Sequence, residues 1–249
     1  MTAISFQLYS AREYPPLGDA LALLARLGYA QVEGYEGVYG DPDGLGALLA
    51  AHGLAMPTGH FGPALVADPG RALAIAEALG IATVICPYID AADRPVDAEG
   101  WDAYGRRLER LSVPYLAAGL GFAWHNHDFE FAPLPDGRMP LDLLLDAVPS
   151  MGWEADVAWM ARAGVDAAAY LAARGPRVVA VHLKDLAPPG EALDEDGWAD
   201  LGHGTLDWPR LMGVVRDRTA ARTLVVEHDR PSDLHRFATR ALAAARALA

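Results

Sequence analysis

Short β-like runs alternate with helix-like stretches along the whole chain of 249 residues. This alternation is typical of parallel strands joined by helical crossovers. The predicted strands are 3–9, 30–35, 54–61, 82–88, the start of 121–131, 152–159, 177–185 and 221–229. The predicted helices are 16–28, about 43–52, 69–80, about 97–119, 139–148, about 165–174, 208–217 and 232–249. Eight strand–helix pairs in a chain of this length predict an α/β fold, a single (β/α)8 TIM barrel domain over residues 1–249.

An open, doubly wound sheet is the alternative arrangement of the same elements. No Gly-x-Gly-x-x-Gly pattern follows the first predicted strand, so a dinucleotide-binding crevice has no support. No linker or low-complexity segment divides the chain. The closed barrel is therefore the favoured architecture.

Composition excludes several classes of partner. The net charge is -13, which gives no general attraction to nucleic acid or to anionic membrane surfaces. The single cysteine, Cys86, allows no intrachain disulfide and favours a reducing compartment. Neither a signal peptide nor an apolar run long enough for a membrane span is evident. These features predict a cytoplasmic protein without a nucleic-acid or membrane partner.

The fifth predicted strand opens the segment "GFAWHNHDFEF", residues 121–131. Because strand side chains alternate between faces, Phe122 and Trp124 share one face, while His125 and His127 share the other. Six of the eight histidines lie at the carboxyl ends of predicted strands or in the loops that follow: His60, His125, His127, His182, His203 and His228. In a barrel these strand ends form the active face, so the distribution indicates a functional site.

The same alternation places Asp156, His182 and Glu227 on inward faces, together with His125 or His127. Carboxylate oxygens combined with imidazoles suit Mn²⁺, Co²⁺, Zn²⁺ or Mg²⁺, although nitrogen ligands argue somewhat against Mg²⁺. A divalent metal site at the barrel mouth is therefore predicted.

Each of these residues also has a structural interpretation. Asp156 could cap a helix, His182 could be a core histidine, and Glu227 could pair with Lys184. Lys184 could instead bind a substrate oxyanion or phosphate. The acidic run 191–200 is interpreted as a solvated lid rather than a metal site.

Five segments resemble the sugar phosphate isomerase/epimerase proteins of the xylose isomerase-like barrel superfamily. They are "WHNHDFEF" (124–131), "DVAWMARAGVD" (156–166), "HLKD" (182–185), "GHGTLDW" (202–208) and "VEHD" (226–229), and "FQLYSARE" (6–13) resembles the first strand of that family. The resemblance covers the whole chain.

The resemblance implies a divalent metal held by residues from strands five to eight, commonly Glu, Asp, His and Glu. Asp156, His182 and Glu227 match the last three positions, and the first falls at or next to His125. The predicted ligands are therefore His125, Asp156, His182 and Glu227, with Mn²⁺ or Zn²⁺ favoured and His127 as the alternative on strand five. Only one of the two glutamates that move protons in ketose epimerases of this superfamily is present here.

The implied activity is a metal-dependent isomerisation or epimerisation through an enediolate. The substrate would be a keto-sugar, a sugar phosphate or a keto-polyol. Glu227 would be one acid/base group, and His127 or His60 would be the other. Residues predicted to contact the substrate are Lys184, Glu33, Gln7 and Trp159.

The same metal site could serve a dehydratase or lyase of a keto-sugar or inosose. A non-catalytic sugar-binding barrel and a relative of DNA-repair endonucleases are further alternatives, and the negative charge counts against the second. A homodimer is predicted, because oligomers are common in the superfamily and two tryptophans, Trp101 and Trp198, are expected to be exposed.

Overall fold

The computed structural model describes residues 3–248, and its centre is a closed barrel of parallel strands surrounded by helices. Around the barrel the order is β1-β10-β7-β6-β5-β4-β3-β2, which confirms the predicted (β/α)8 fold. The barrel strands are Ala3–Gln7 (β1), Gln31–Gly34 (β2), Ala55–His60 (β3), Thr83–Cys86 (β4), Gly121–His125 (β5), Gly152–Asp156 (β6), Val178–Leu183 (β7) and Thr223–Val226 (β10). A separate antiparallel pair, Asp185–Leu186 (β8) and Trp198–Ala199 (β9), follows β7. The predicted domain limits, 1 and 249, lie outside the described residues.

Helices cover the outside of the barrel. They are Leu17–Leu27 (α1), Pro42–His52 (α2), Pro63–Val66 (α3), Pro69–Leu79 (α4), Ala98–Ala117 (α5), Pro140–Ala147 (α6), Val157–Arg162 (α7), Ala167–Arg174 (α8), Trp208–Arg218 (α9) and Leu234–Leu248 (α10). Asp41 and Asp68 start α2 and α4 by accepting a backbone N–H, and a proline follows each of them at the first helical position. Among the helices of residues 3–248, none is both long and apolar enough to cross a membrane.

The bulky face of β5 packs outward as its alternation predicts. Trp124 and Phe122 are buried against α5, where Tyr104 meets Trp124 edge-on with ring centroids 6.1 Å apart. Tyr115 stacks on Phe122 at 5.7 Å. This packing leaves the other face of β5, which ends in His125, turned toward the barrel axis.

Strand six is shorter than predicted, because α7 begins at Val157. The Oδ1 atom of Asp156 accepts the backbone N–H groups of Ala158 and Trp159, both at 2.9 Å. These hydrogen bonds satisfy donors that a helix start leaves free, so the chain turns into a helix directly at the end of the strand. The predicted strand over 152–159 is therefore wrong beyond Asp156.

The prediction of a solvated lid over 191–200 is also wrong for two of its five carboxylates. Glu195 and Asp200 are buried, and both accept hydrogen bonds from the guanidinium of Arg236 on α10. Arg240 adds a second ion pair to Asp200 at 3.0 Å. The segment is thus attached to α10 by ion pairs whose carboxylates are buried and whose guanidinium groups are partly exposed.

The two tryptophans that were expected to be exposed are buried. Trp101 is 2% exposed and Trp198 is 1% exposed. The first packs beside Phe129, and the second meets the ring of Trp159 at a centroid distance of 4.7 Å. The predicted homodimer loses this support and stays a prediction.

Candidate metal centre

A cavity of ≈ 520 Å³ opens at the carboxyl ends of the barrel strands. Polar side chains from three strand ends reach it, because His60 ends β3, His125 ends β5 and Glu227 follows β10. Aromatic side chains form much of the remaining wall: Tyr9, Tyr35, Tyr88, His127 and Trp159. This is the face on which TIM barrels carry their active sites.

Four predicted ligands meet beside this cavity, and we call His125, Asp156, His182 and Glu227 the ligand set. Each offers one ligand atom, and these atoms all lie within 4.8 Å of one another. Strand register explains the meeting, since Asp156 of β6 stands opposite His182 of β7. The Nδ1 atom of His182 lies 3.0 Å from Oε2 of Glu227 and 4.0 Å from Oδ2 of Asp156.

One oxygen of the ligand set indicates that these residues fit a metal ion. Oδ2 of Asp156 is buried and has no hydrogen-bond partner, which is costly for a carboxylate oxygen. Burial raises the pKa of Asp156 to about 7, although Lys184 and His182 oppose the rise. Ligand atoms that share a divalent ion at about 2.1 Å lie roughly 3–4 Å apart, which matches the spacing around His182 Nδ1. Asp156 thus caps α7 with one oxygen and presents the other to the ligand set.

A second group of polar side chains lies below the ligand set, and we call Gln7, Glu33, His60 and Glu154 the deep network. Oε1 of Glu33 accepts from Gln7 at 2.8 Å and lies 3.2 Å from Nε2 of His60. Oε2 of Glu154 lies 2.7 Å from the same nitrogen. These are hydrogen-bond distances, so the carboxylates of the deep network already hold imidazole partners.

The imidazoles keep the buried carboxylates of the deep network ionised. Burial and the neighbouring Glu33 would raise the pKa of Glu154, but His182 and His60 outweigh them and lower it to about 2. Burial would lower the pKa of His60, yet the two glutamates raise it to about 9. The network is therefore a buried arrangement of opposite charges.

The deep network also orients two imidazoles of the ligand set. Nε2 of His182 lies 2.9 Å from Glu33 Oε1 and 3.1 Å from Glu154 Oε2. Nδ1 of His125 lies 3.2 Å from the same oxygen of Glu154. Carboxylates that bind the far nitrogen of a ligand histidine fix its tautomer and its ring orientation. His60, His125, Glu154 and His182 could themselves form a ligand set, but their short mutual distances favour hydrogen bonding.

The turn after β5 holds Asp156 and His127 in place. Oδ1 of Asn126 accepts the backbone N–H of Asp156 at 3.0 Å, and its Nδ2 donates to the carbonyl of the same residue at 3.2 Å. Glu130 accepts from Trp124 Nε1 and from the backbone N–H of His127, both at 2.9 Å. Asn126 therefore positions the backbone of Asp156, and Glu130 positions that of His127, two roles that were not predicted from the sequence.

His127 differs from His125 in its surroundings. Its ring lies 5.1 Å from those of Tyr88 and Trp159, in the cavity wall. Its Nδ1 atom has no hydrogen-bond partner, and burial together with Lys184 lowers its pKa to about 3. Among the described residues, the groups that could hold a metal ion include His125 and do not include His127.

The residues predicted to contact substrate fall into two groups. Trp159 lines the cavity, whereas Gln7, Glu33 and Lys184 are fully buried behind its wall. Nζ of Lys184 lies 2.5 Å from Oδ1 of Asp229, 3.4 Å from Glu227 and 3.8 Å from Asp156. These ion pairs favour the charge-balancing interpretation of Lys184, and substrate binding by Lys184 stays a prediction.

Several residues of the site were not singled out from the sequence. Glu154 shares the inward face of β6 with Asp156, so strand alternation carried a signal for it. Tyr9 and Tyr88 follow the first and fourth strands, where barrel loops contribute to a site. Asp229 ends the VEHD segment after the eighth barrel strand, but that pattern assigned it no role, and its contact with Lys184 reveals one.

Comparison with known proteins shows the family to which the chain is similar. Residues 21–248 match the family model described as xylose isomerase-like TIM barrel, which confirms the resemblance seen in the sequence. No curated protein sequence matches the chain significantly.

Solved structures share the fold at low sequence identity. A sugar phosphate isomerase/epimerase from Parabacteroides distasonis has a TM-score of 0.81 at 17% identity, covering 97% of this chain and 92% of that chain. A probable 3-DHS dehydratase, AsbF, from Bacillus anthracis has a TM-score of 0.76 at 11% identity, covering 98% of each chain. The IolI protein with a bound zinc atom has a TM-score of 0.75 at 14% identity, covering 100% of this chain and 96% of that chain.

Proposed function

This chain belongs to the xylose isomerase-like TIM barrel family, and on that premise we propose that it is a divalent-metal-dependent isomerase or epimerase of a keto-sugar, a sugar phosphate or a keto-polyol. The observation that carries the proposal is the Oδ2 atom of Asp156, which is buried without a hydrogen bond beside His182 and Glu227, at the edge of an open cavity. The neighbour with a bound zinc atom supports metal binding by this type of barrel. The mixed nitrogen and oxygen donors favour Mn²⁺ or Zn²⁺.

The ligand set would hold the ion, and Glu227 has a second role as a proton acceptor. When bound, a divalent ion supplies Lewis-acid polarisation of a carbonyl, which acidifies the neighbouring C–H group. Glu227 lines the cavity, so its carboxylate can take the proton from a substrate placed there. Lys184 and His182 lower the pKa of Glu227 despite its burial, which keeps it ionised and able to act as a base.

Two imidazoles can return the proton to the resulting enediolate. His60, at the end of β3, and His127, in the turn after β5, both line the cavity, and Glu227 follows a different strand, β10. Return to the opposite face of the same carbon gives epimerisation, and return to the adjacent carbon gives isomerisation. We assign this transfer to His60, because Glu33 and Glu154 raise its pKa to about 9 and it therefore carries a proton at neutral pH. His127 is the second candidate; its pKa is lowered to about 3, so it is neutral and would have to take up a proton before it could donate one.

A nuclease function has little support in the charge of the site. Among the cavity-lining residues in the described part of the chain, Arg12 is the one Lys or Arg, and it faces four carboxylates: Glu36, Asp196, Glu227 and Asp229. Binding to a phosphate backbone requires a basic surface. The cavity therefore suits a small molecule better than a nucleic acid.

Solvent deuterium exchange tests the proposed function. Ketoses incubated in D₂O with metal-depleted protein should exchange their α-protons only after Mn²⁺ or Zn²⁺ is restored, and Asp156→Ala should abolish the restoration. Metal-independent exchange, or full restoration in Asp156→Ala, would refute the proposal. A product that has lost water would instead identify the dehydratase alternative.

A further inference from the structure

The loop after β7 contains the glycine-rich segment 202–208, which the metal chemistry does not use. In TIM barrels, phosphate groups commonly bind to the loops after the seventh and eighth strands, where backbone N–H groups and a helix N-terminus face the ligand. A phosphorylated substrate would therefore be expected to contact this loop or the one after β10.

A carboxylate of the protein occupies the anion-binding groups of the first loop. Asp185 is fully buried, and its two oxygens accept hydrogen bonds from Leu186 N (2.9 Å), Leu206 N (3.2 Å), Gly202 N (3.0 Å), Gly204 N (3.2 Å) and Trp208 Nε1 (2.7 Å). A Cβ atom at Gly204 would collide with this carboxylate, which explains the glycine. The loop thus surrounds its own anion, and these donors are not available to a phosphate.

Several backbone N–H groups of the loop after β10 and of the first turn of α10 have acceptors within the protein as well. They donate to side chains: His228 N to Ser10 Oγ (3.0 Å), Arg230 N to His228 Nδ1 (3.1 Å), Ser232 N to Glu195 Oε1 (2.6 Å) and Arg236 N to Asp233 Oδ1 (2.9 Å). These four donors at the second usual position for a phosphate are therefore also not available to one.

Cationic side chains near the cavity have partners as well. Arg12 donates to the backbone carbonyls of Tyr9 and Asp229, and Lys184 is paired with carboxylates on three sides. Arg162 donates to the carbonyl of Asp196 at 2.7 Å and stacks over a tryptophan ring. A phosphate dianion would thus enter a field dominated by carboxylates.

The rest of the wall suits a neutral ring. Tyr9, Tyr35, Tyr88 and Trp159 present aromatic surface, and Tyr9 meets Tyr35 edge-on with centroids 5.4 Å apart. The volume of ≈ 520 Å³ is within the usual range for small-molecule sites. We infer that the substrate is an unphosphorylated, uncharged keto-sugar or cyclic polyol ketone, an inference that rests on the proposed function.

Matched ligands test this inference in the Zn²⁺-loaded protein. The probes are D-fructose against D-fructose 6-phosphate and myo-inositol against myo-inositol 1-phosphate, with binding followed by the indole N–H signal of Trp159 in NMR spectra. Trp159→Phe identifies that signal, and the signal of Trp101, which does not line the cavity, serves as the internal control. In at least one pair the neutral member should bind at least about tenfold more tightly than its ester.

Equal or tighter binding of both esters would overturn the inference, and so would the absence of any shift of Trp159 with both neutral ligands. Glu36 provides a second test, because it lines the cavity outside the ligand set. Glu36→Lys should lower the ratio of the affinity for the neutral ligand to the affinity for its phosphate ester, while Glu36→Gln serves as the uncharged control. An unchanged preference in Glu36→Lys would contradict the electrostatic argument. Failure of the proposed function would show itself differently, as metal-independent deuterium exchange.

Discussion

The two sides of the His182 ring bear the same chemical groups but differ in access to the cavity and in one carboxylate oxygen. On the Nδ1 side, Glu227 lies 3.0 Å away and borders the cavity, and Oδ2 of Asp156 lies 4.0 Å away without a hydrogen-bond partner. On the Nε2 side, Glu33 and Glu154 lie 2.9 and 3.1 Å away and share their oxygens with other donors. Both sides contain carboxylates and imidazoles, so residue type alone does not distinguish them.

The difference teaches that access to the cavity, together with a carboxylate oxygen without a hydrogen bond, distinguishes a candidate metal site from a closed hydrogen-bond network. In the deep network every imidazole and carboxylate group is held at hydrogen-bond distance by its neighbours. The ligand set also contains such a contact, between His182 and Glu227, but it keeps one oxygen, Asp156 Oδ2, without a hydrogen bond and at a distance that an ion can bridge. The deep network therefore acts as a support for the ligands, and variants on the two sides of His182 should differ in their effects.

The largest effect is expected for Glu227→Gln on the Nδ1 side. The amide oxygen can still coordinate a metal, but the proton acceptor is lost. Exchange of the substrate α-proton with D₂O should fall by about 10²–10⁴ at saturating metal. Asp156→Asn is the matched variant, and excess metal should partly restore its activity. Wild-type exchange in Glu227→Gln, combined with loss of exchange but not of metal in His127→Ala, would show that Glu227 is only a ligand.

His182→Ala should lower metal affinity by more than about 100-fold, beyond the range typical of supporting residues. The reason is that this change removes a ligand atom and the link to the deep network together. His127→Ala is the control, because it removes a cavity imidazole outside the ligand set. Competition with a chromogenic chelator measures both affinities, and similar losses in the two variants would contradict the assignment.

Glu154→Gln should have a smaller effect, a loss of about 10–100-fold in metal affinity with one ion still bound per chain. The change removes the negative charge that orients His125 and His182 without removing a ligand. Glu33→Gln should also lower the metal affinity. If Glu154→Gln no longer bound any metal at saturating concentration, the ion would have to lie in the deep network instead.

The last comparison leaves metal affinity unchanged and concerns the stability of the fold, through a buried carboxylate that lacks imidazole partners. Burial raises the pKa of Glu130 to about 8, whereas that of Glu154 is lowered to about 2 despite similar burial. The ordinary pKa of a glutamate is 4.5, so the unfolded chain releases this proton above pH 4.5. Folded Glu130 keeps the proton up to about pH 8. Stability should therefore fall as pH rises through this window, by at most about 1.4 kcal/mol per pH unit.

Glu130→Gln carries no such proton and should show a flatter dependence of unfolding free energy on pH than the wild type. Urea unfolding at a series of pH values between these limits measures the difference in slope. Identical slopes in the two proteins would mean that Glu130 has an ordinary pKa in the folded protein. The absence of imidazole partners would then not explain a difference in pKa between Glu130 and Glu154.

The sequence predicted the barrel and the meeting of the ligand set for the same reason. Strand alternation and the rule that active sites lie at the carboxyl ends place Asp156, His182 and Glu227 together without any knowledge of packing. Alternation also placed Glu154 inward, but it does not reveal that Glu154 lies level with His125 and accepts from three imidazoles. That depends on strand register, which the sequence does not show.

Loop structure was predicted less well because long-range partners determine it. The prediction of a solvated lid over 191–200 was wrong for Glu195 and Asp200 because their partners, Arg236 and Arg240, are distant in sequence. The limit of strand six failed because one oxygen of Asp156 caps a helix while the other faces the ligand set. Both interpretations of Asp156 that the sequence offered therefore describe part of its environment.

Anomalous diffraction from crystals soaked in Mn²⁺ or Zn²⁺ tests the central claim most directly. The account predicts one strong peak per chain within coordination distance, about 2.0–2.2 Å, of Asp156 Oδ2 and His182 Nδ1. A peak among His60, Glu154 and the Nε2 side of His182, or no peak at all, would contradict it.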